Sequence, residues 1–304
     1  SEMCIRDSPS IVLVLLATIL QGANEEAAML VGNLAPDPVT AIDLFAGAIL
    51  PGLMLVVLFI IFIFFYARFN PLSCPPVETS RSRAEIYIEA AKSVIPPITL
   101  IILVLGSILF GIATPTESAS VGAVGAAIIA LLKGELNFKN LKETSIGTVK
   151  LSSFVFVILI GASMFSLVFR GFGGDEMIEH FLGNLPGGLY AALILVMIVI
   201  FLLGYFLDYI EIIFVIVPLV GPILIANGAD PLWLGILISL NLQTSFLTPP
   251  FGFSLFFLRG VAPNSIQTKN MYKGVIPFIG IQILAILIVG FYPEIATWLP
   301  NKMF

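Results

Sequence analysis

Charge is scarce in this sequence, and that alone excludes most classes of protein. Asp, Glu, Lys and Arg make up 11% of its 304 residues, against about 25% in soluble domains, so a normal water-facing shell cannot be built. There is one histidine, His180, and there are two cysteines, Cys4 and Cys74. A disulfide framework or a His/Cys metal site needs more. No Lys/Arg cluster interleaved with aromatics occurs, which excludes a nucleic-acid partner. Also missing is the polar–apolar alternation of a β-barrel wall: "LVVLFIIFIFF" and "LILVMIVIFLLG" are apolar on every face. What is present is a 59% share of hydrophobic residues and a mean hydropathy of +1.08. The chain belongs in a lipid bilayer, crossed by helices.

Apolar runs at Ile42 to Tyr66, Ile95 to Ala113, Val149 to Phe169, Tyr190 to Leu207 and Gly274 to Phe291 have the length, about 17–25 residues, that crosses the hydrocarbon as helix. Residues 1 to 8, "SEMCIRDS", lack an apolar h-region. They resemble translated sequencing adapter and are set aside as non-native. From Pro9, "PSIVLVLLATIL" is too short to span and reads as the tail of a membrane element, with a polar excursion from Gln21 to Pro38. After the first long span, a proline-rich stretch carries Arg68, Arg81, Arg83 and Lys92, and "RAEIYIEAAKSVI" predicts a short amphipathic helix at the interface. The segments Ile95 to Ala113 and Ala119 to Leu132 follow, joined by "TPTES", and then a second basic loop with Lys133, Lys139, Lys142 and Lys150. The positive-inside rule puts both basic loops in the cytoplasm. Span counting leaves the side of Arg259, Lys269 and Lys273 open.

Between Leu189 and Gly260 the apolar sequence is interrupted by Gly204, Asp208, Glu211, Pro218, Gly221, Pro222, "NGADP" and "TPP". Irregular backbone at membrane depth persists only where protein buries it or where it lines a cavity, so broken helices or re-entrant hairpins are expected here.

Four motifs carry chemistry or local structure. In "NLQTSFLTPPFG" the pair Pro249–Pro250 removes two backbone donors, with Thr248 placed as N-cap and Pro249 at the first position of a new helix. Such a break offers the Ser245 carbonyl and the Ser245 and Thr248 hydroxyls to a hard cation such as Na⁺. Asn241, Gln243 and Thr244 are further polar candidates for a substrate or ion pathway, and a kink answered by neighbouring helices is the bland alternative. In "LLGYFLDYIEII", Asp208 and Glu211 stand three apart on one helix face, where ionisable groups are costly and often functional; an interfacial turn at Asp208 is the alternative. "ATPTESA" reads as a capping box, with Thr114 as N-cap, Pro115 at the first position and Glu117 at the third. "FRGFGGDEMIEHF" lacks the strand and the Lys-Ser/Thr of a phosphate loop and reads as a hinge or hairpin tip.

"GIATPTESASVGAVGA", "LGYFLDYIEIIFVIVPLVGPI" and "NLQTSFLTPPFGFSLFFLRGVAP" resemble the large membrane subunit of tripartite ATP-independent periplasmic (TRAP) transporters, over roughly residues 9 to 298. The resemblance implies an all-α, multi-span inverted-repeat protein of elevator type. It implies a small membrane subunit and a periplasmic binding protein as partners, a small organic anion as substrate and Na⁺ as coupling ion with no organic cofactor. It also implies a bacterial inner-membrane location. Carried over residue by residue, it makes Gly204, Ser245 and Thr248 sodium ligands, Ser245 through its carbonyl. It implies a division into residues 9–41 as the remnant of a first repeat, 42–147 as scaffold-type spans, and 148–304 as the second repeat and transport domain. "PSIVLVLL" then matches the tail of a repeat-one segment, and an N-terminally truncated subunit is expected.

The leading expectation is a Na⁺-coupled secondary transporter subunit and not an enzyme. An intramembrane enzyme using Asp208 and Glu211 is the alternative, but it lacks a nucleophile or metal-ligand spacing beside them. A non-catalytic scaffold would leave the clustering of Gly204, Asp208, Ser245 and Thr248 without a reason.

Overall fold

A computed structural model describes the chain apart from residues 1–8, 34, 72–81, 250–253, 256–257, 260–261, 263–266 and 304. Cys4, Cys74, Arg81 and Pro250 therefore lie outside the described residues. Every regular element among the described residues is a helix. In order these are α1 (Pro9–Leu30), α2 (Ala41–Phe69), α3 (Arg83–Leu109), α4 (Pro115–Leu132), α5 (Phe138–Gly171), α6 (Gly174–Gly183), α7 (Gly188–Leu203), α8 (Tyr209–Ala226), α9 (Pro231–Leu247), α10 (Thr268–Phe291) and α11 (Glu294–Met303). Seven of the described helices are long and apolar enough to cross a membrane. The protein is an all-α integral membrane protein, as its composition requires.

Three elements differ from the sequence reading. Helix α1 does not stop at Gln21 but runs to Leu30. Its buried residues Leu13, Leu16, Ala17, Leu20, Ala23, Asn24, Ala27 and Ala28 form one continuous stripe at helical spacing. The polar letters Gln21 and Glu25 fall on the other face, and Asn24 donates from Nδ2 to the Asp37 carbonyl at 2.8 Å. The expected amphipathic helix and the span after it are likewise one helix, α3. It starts with a Ser82–Glu85 capping box and continues through Pro96 and Pro97, whose missing donors cost the Lys92 and Ser93 carbonyls their partners near the end of the span. The apolar run from Tyr190 stops at Leu203, and the residues from Gly204 form a turn.

The chain divides into two compact units, one of Ser1–Phe59 with Val155–Phe304 and one of Ile60–Phe154. In the second, α3 and α4 form a close helical pair. Ser107 and the fully buried Ser118 share a hydroxyl–hydroxyl hydrogen bond of 2.8 Å. A Cβ at Gly125 would collide with Leu100, and one at Gly122 would press on Val104 at 3.2 Å. The expected Thr114–Pro115–Glu117 box starts α4: Thr114 Oγ1 accepts from the Glu117 amide at 3.3 Å, and Glu117 accepts from the Thr114 amide at 2.8 Å.

In the first unit, α7 and α8 form a hairpin. Gly183 and Asn184, just before α7, share a cleft of about 430 Å³ with Ala226 and Asn227 at the end of α8 and with Leu30 at the end of α1. The hairpin therefore enters and leaves through one face. With 16 residues, α7 reaches about 24 Å, short of the roughly 30 Å hydrocarbon. Helix α9 starts at the same face, capped by Asp230, whose carboxylate accepts from the Trp233 amide at 2.8 Å. There the Trp233 indole donates to the Val289 carbonyl near the end of α10, also at 2.8 Å. Lys269 and Lys273, at the start of α10, lie at the opposite end. The positive-inside rule favours the cytoplasmic side for that end.

Helices α1, α2 and α9 cross at Gly235, where an added Cβ would strike Leu20 and meet Leu44 at 3.0 Å. The buried residues of α2 all fall between Leu44 and Leu55, whereas Ile60, Ile63, Phe64 and Phe65 are exposed, as suits a lipid-facing surface. Gly235→Val is expected to destabilise the detergent-solubilised protein by about 1–3 kcal/mol through overpacking, and Gly52→Val, with open space around it, to leave it unchanged. Thermal unfolding followed by size-exclusion fluorescence checks both.

Candidate ion site where two helix breaks meet

The polar residues of α9 are buried on one side of the helix. Asn241 is 3% exposed, and Thr244 and Ser245 are fully buried, while Gln243 is exposed. Their hydroxyls are all turned the same way. Thr244 Oγ1 donates to the Leu240 carbonyl at 2.7 Å, Ser245 Oγ to Leu242 at 2.8 Å, and Thr248 Oγ1 to Thr244 at 2.8 Å. A carbonyl only accepts, so each hydroxyl spends its proton on the helix and keeps its lone pairs for another partner. That is the state in which a hydroxyl oxygen can ligate a cation.

Thr248 ends α9 in extended conformation, φ −92° and ψ 127°, and its amide donates to the Ser245 carbonyl. It is the C-cap of α9. The new helix expected to begin at Pro249 and Pro250 lies mostly outside the described residues, as does any role of Thr248 as its N-cap.

The second break is the hairpin tip. The Gly204 amide bonds Ile200, and those of Tyr205, Phe206 and Leu207 fold back onto Leu202 and Leu203. The next two amides are diverted: that of Asp208 goes to Glu211 Oε2 at 3.3 Å and that of Tyr209 to Asp208 Oδ1 at 2.8 Å. Those two amides would have closed the following α-turn on the carbonyls of Gly204 and Tyr205. Asp208 and Glu211 thus form a capping box for α8. They are half-buried, and as N-cap and third residue both carboxylates accept from backbone amides.

The two breaks touch. A Cβ on the buried Gly204 would collide with the Ser245 side chain, so only glycine admits this approach. Tyr209 and Phe246 meet edge to face at 5.8 Å between ring centroids. Asn241 Nδ2 donates to the Met197 carbonyl of α7 at 2.7 Å. The structure therefore gathers Gly204, Asp208, Glu211, Asn241, Thr244, Ser245 and Thr248, and leaves Gln243 facing away. Thr114, Pro115 and Glu117 belong to the other unit. Among the described residues no group of three or more His, Cys, Asp or Glu side chains could hold a metal. Both α7 and α9 end at this place, and helix C-termini carry partial negative charge; the positive start of α8 is offset by the Asp208 and Glu211 carboxylates that cap it, so the junction favours a cation.

Sequence reading missed a five-residue π-helical turn, Ile212–Ile216, inside α8. Its cause is Pro218, two residues beyond the turn: the ring crowds the carbonyl four residues back, at Phe214, and a widened turn relieves that clash. The spacing Pro218–Pro222 was the available signal.

Residues 27–295 match the family model described as the DctM component of the tripartite ATP-independent periplasmic transporter. The chain is 31% identical over 281 residues to the C4-dicarboxylate TRAP transporter large permease protein of Vibrio cholerae, covering 86% of this chain and 61% of that protein. It is 29% identical over 267 residues to the ectoine TRAP transporter large permease protein of Halomonas elongata, covering 86% and 60%. With the sialic acid TRAP transporter permease protein of Haemophilus influenzae it shares 24% identity over 295 residues, 93% of this chain and 47% of that one. The chain thus spans less than two thirds of each relative, and all three are named as transporter permeases, not enzymes. A match over most of its length, on an all-helical membrane fold with paired helix breaks, makes this chain a member of the DctM family, the large permease component of TRAP transporters.

Proposed function

We propose that this chain is the ion-coupling part of a Na⁺-driven secondary transporter that imports a small carboxylate-bearing organic anion across the bacterial inner membrane without ATP hydrolysis. The anion is delivered by a periplasmic binding protein, and a small membrane subunit completes the permease. In this reading residues 42–147 supply scaffold-type spans. Residues 148–304 form the second inverted repeat, which moves as an elevator to give alternating access.

The observation that carries the reading is the contact between Gly204 and Ser245. It brings two helix C-termini and a set of oxygens with free lone pairs to one buried point, the composition a dehydrated alkali cation requires. Gly204 offers its carbonyl, Ser245 its carbonyl, and Thr248 its hydroxyl. Asp208 and Glu211 contribute indirectly, by diverting the amides that would cover the tip carbonyls. The enzyme alternative loses its support, because the relatives are named as transporter permeases. The relatives named above are named for C4-dicarboxylates, ectoine and sialic acid; each of these substrates bears a carboxylate, which supports the substrate class proposed.

Two experiments on the complete reconstituted transporter test this. Thr248→Ala should raise the Na⁺ concentration for half-maximal uptake about tenfold, the effect of losing roughly 1.4 kcal/mol of ion binding, while Thr248→Ser stays close to wild type. Uptake with unchanged Na⁺ dependence removes Thr248 from the site. Because asparagine caps helices as well as aspartate does, Asp208→Asn should retain uptake and Asp208→Ala should lose most of it. Loss in both variants would assign the charge itself to the transport cycle.

A further inference from the structure

Asn241 is the polar residue whose place the ion reading does not by itself explain. It lies four residues before Ser245, about 6 Å along the α9 axis from it, and it is 3% exposed. Its Nδ2 is 2.7 Å from the Met197 carbonyl and 3.6 Å from the Met197 sulfur. The Met197 carbonyl lies inside α7, where the amide of Phe201 is its ordinary helical partner, so Asn241 takes its second lone pair. Met197 precedes Gly204 by two helical turns, and Asn241 precedes Ser245 by one.

We infer that Asn241 is a positioning residue for the Na⁺ site: it gives no oxygen to the ion, but ties α7 to α9 and so fixes how far the Gly204 carbonyl stands from the oxygens of Ser245 and Thr248. The inference rests on the sodium reading above. Its physical basis is that this hydrogen bond is a directional tie between the two helices, added to the packing of Gly204 on Ser245 at the tip. Both helices are apolar along most of their length, and apolar packing fixes axial position less sharply than a hydrogen bond does. A side chain to backbone hydrogen bond in hydrocarbon has no water competing for it. An axial shift of even about 1 Å would change cation coordination, since ligand distances to hard cations vary by only a few tenths of an ångström. The amide reaches sideways to α7, a full turn away from the break, which separates it from the ligands proposed.

The test uses the full-length subunit that carries this chain, purified with its partners, and two readouts. One is Na⁺-dependent uptake in liposomes; the other is the rise in thermal midpoint on titrating Na⁺ against choline in detergent. Asn241→Leu keeps the volume and removes the donor; Asn241→Ser, too short to reach Met197, is the second variant should the first not accumulate in folded form. Either is expected to move the Na⁺ midpoint up about tenfold in both readouts, with maximal uptake at saturating Na⁺ within about twofold of wild type. A lower thermal midpoint in choline with an unmoved Na⁺ midpoint overturns the inference, because a merely structural bond behaves that way. A wild-type protein without Na⁺ dependence in either readout would instead remove the sodium reading, and this inference with it.

Discussion

Inside a bilayer no water is available to a backbone group that its helix has released. Everything unusual in this protein follows from that constraint. Two helices stop at membrane depth, α7 at Leu203 and α9 at Leu247. Each stop releases carbonyls that would be intolerable against lipid. The fold answers by bringing the stops together and burying them, with Gly204 against Ser245. A pair of breaks that would each be a defect becomes one polar point with partial negative charge, poor in donors and rich in oxygens.

The surroundings hold that point in place. The Asp208–Glu211 cap starts α8 without covering the tip carbonyls, Tyr209 packs on Phe246, and the π turn before Pro218 sets the helix that follows. Farther out, Gly221 lets α8 approach Ala23 of α1, and Gly235 lets α9 approach Leu20 and Leu44. These close approaches keep the hairpin and α9 at matched depth. From Gly188 to Gly204 and from Pro231 to Ser245, each arm descends about 21–24 Å at 1.5 Å per residue, so the two stops meet without strain in either helix.

Much of this was legible in the sequence, where the signal is carried by side-chain type. Apolar run length gave the membrane class, the proline pair after Thr248 gave the end of α9, and Thr114–Glu117 gave a capping box. The continuation of α1 through Gln21 was hidden because its stripe is built from alanines, which a search for long apolar runs passes over. The spacing of Asp208 and Glu211 showed a shared face but not that the first residue is the N-cap of α8. The bond from Asn241 to Met197 could not be read at all, since its acceptor is a main-chain oxygen that leaves no mark in the letters. Which oxygens stand near one another is likewise set by tertiary approach. Family resemblance pointed to Gly204, Ser245 and Thr248, and the geometry supplies a physical reason why the first two meet.

The central claim is that the hairpin tip and the end of α9 make a single Na⁺ site by direct contact of Gly204 with Ser245. Equilibrium binding of ²²Na⁺ to the purified transporter tests it with two variants. Gly204→Ala should weaken binding at least about tenfold, because its Cβ displaces Ser245. Adding Ser245→Gly should restore binding, since the clash is removed and the carbonyl at 245 remains. Undiminished binding in the single variant, or no recovery in the double, would contradict the account.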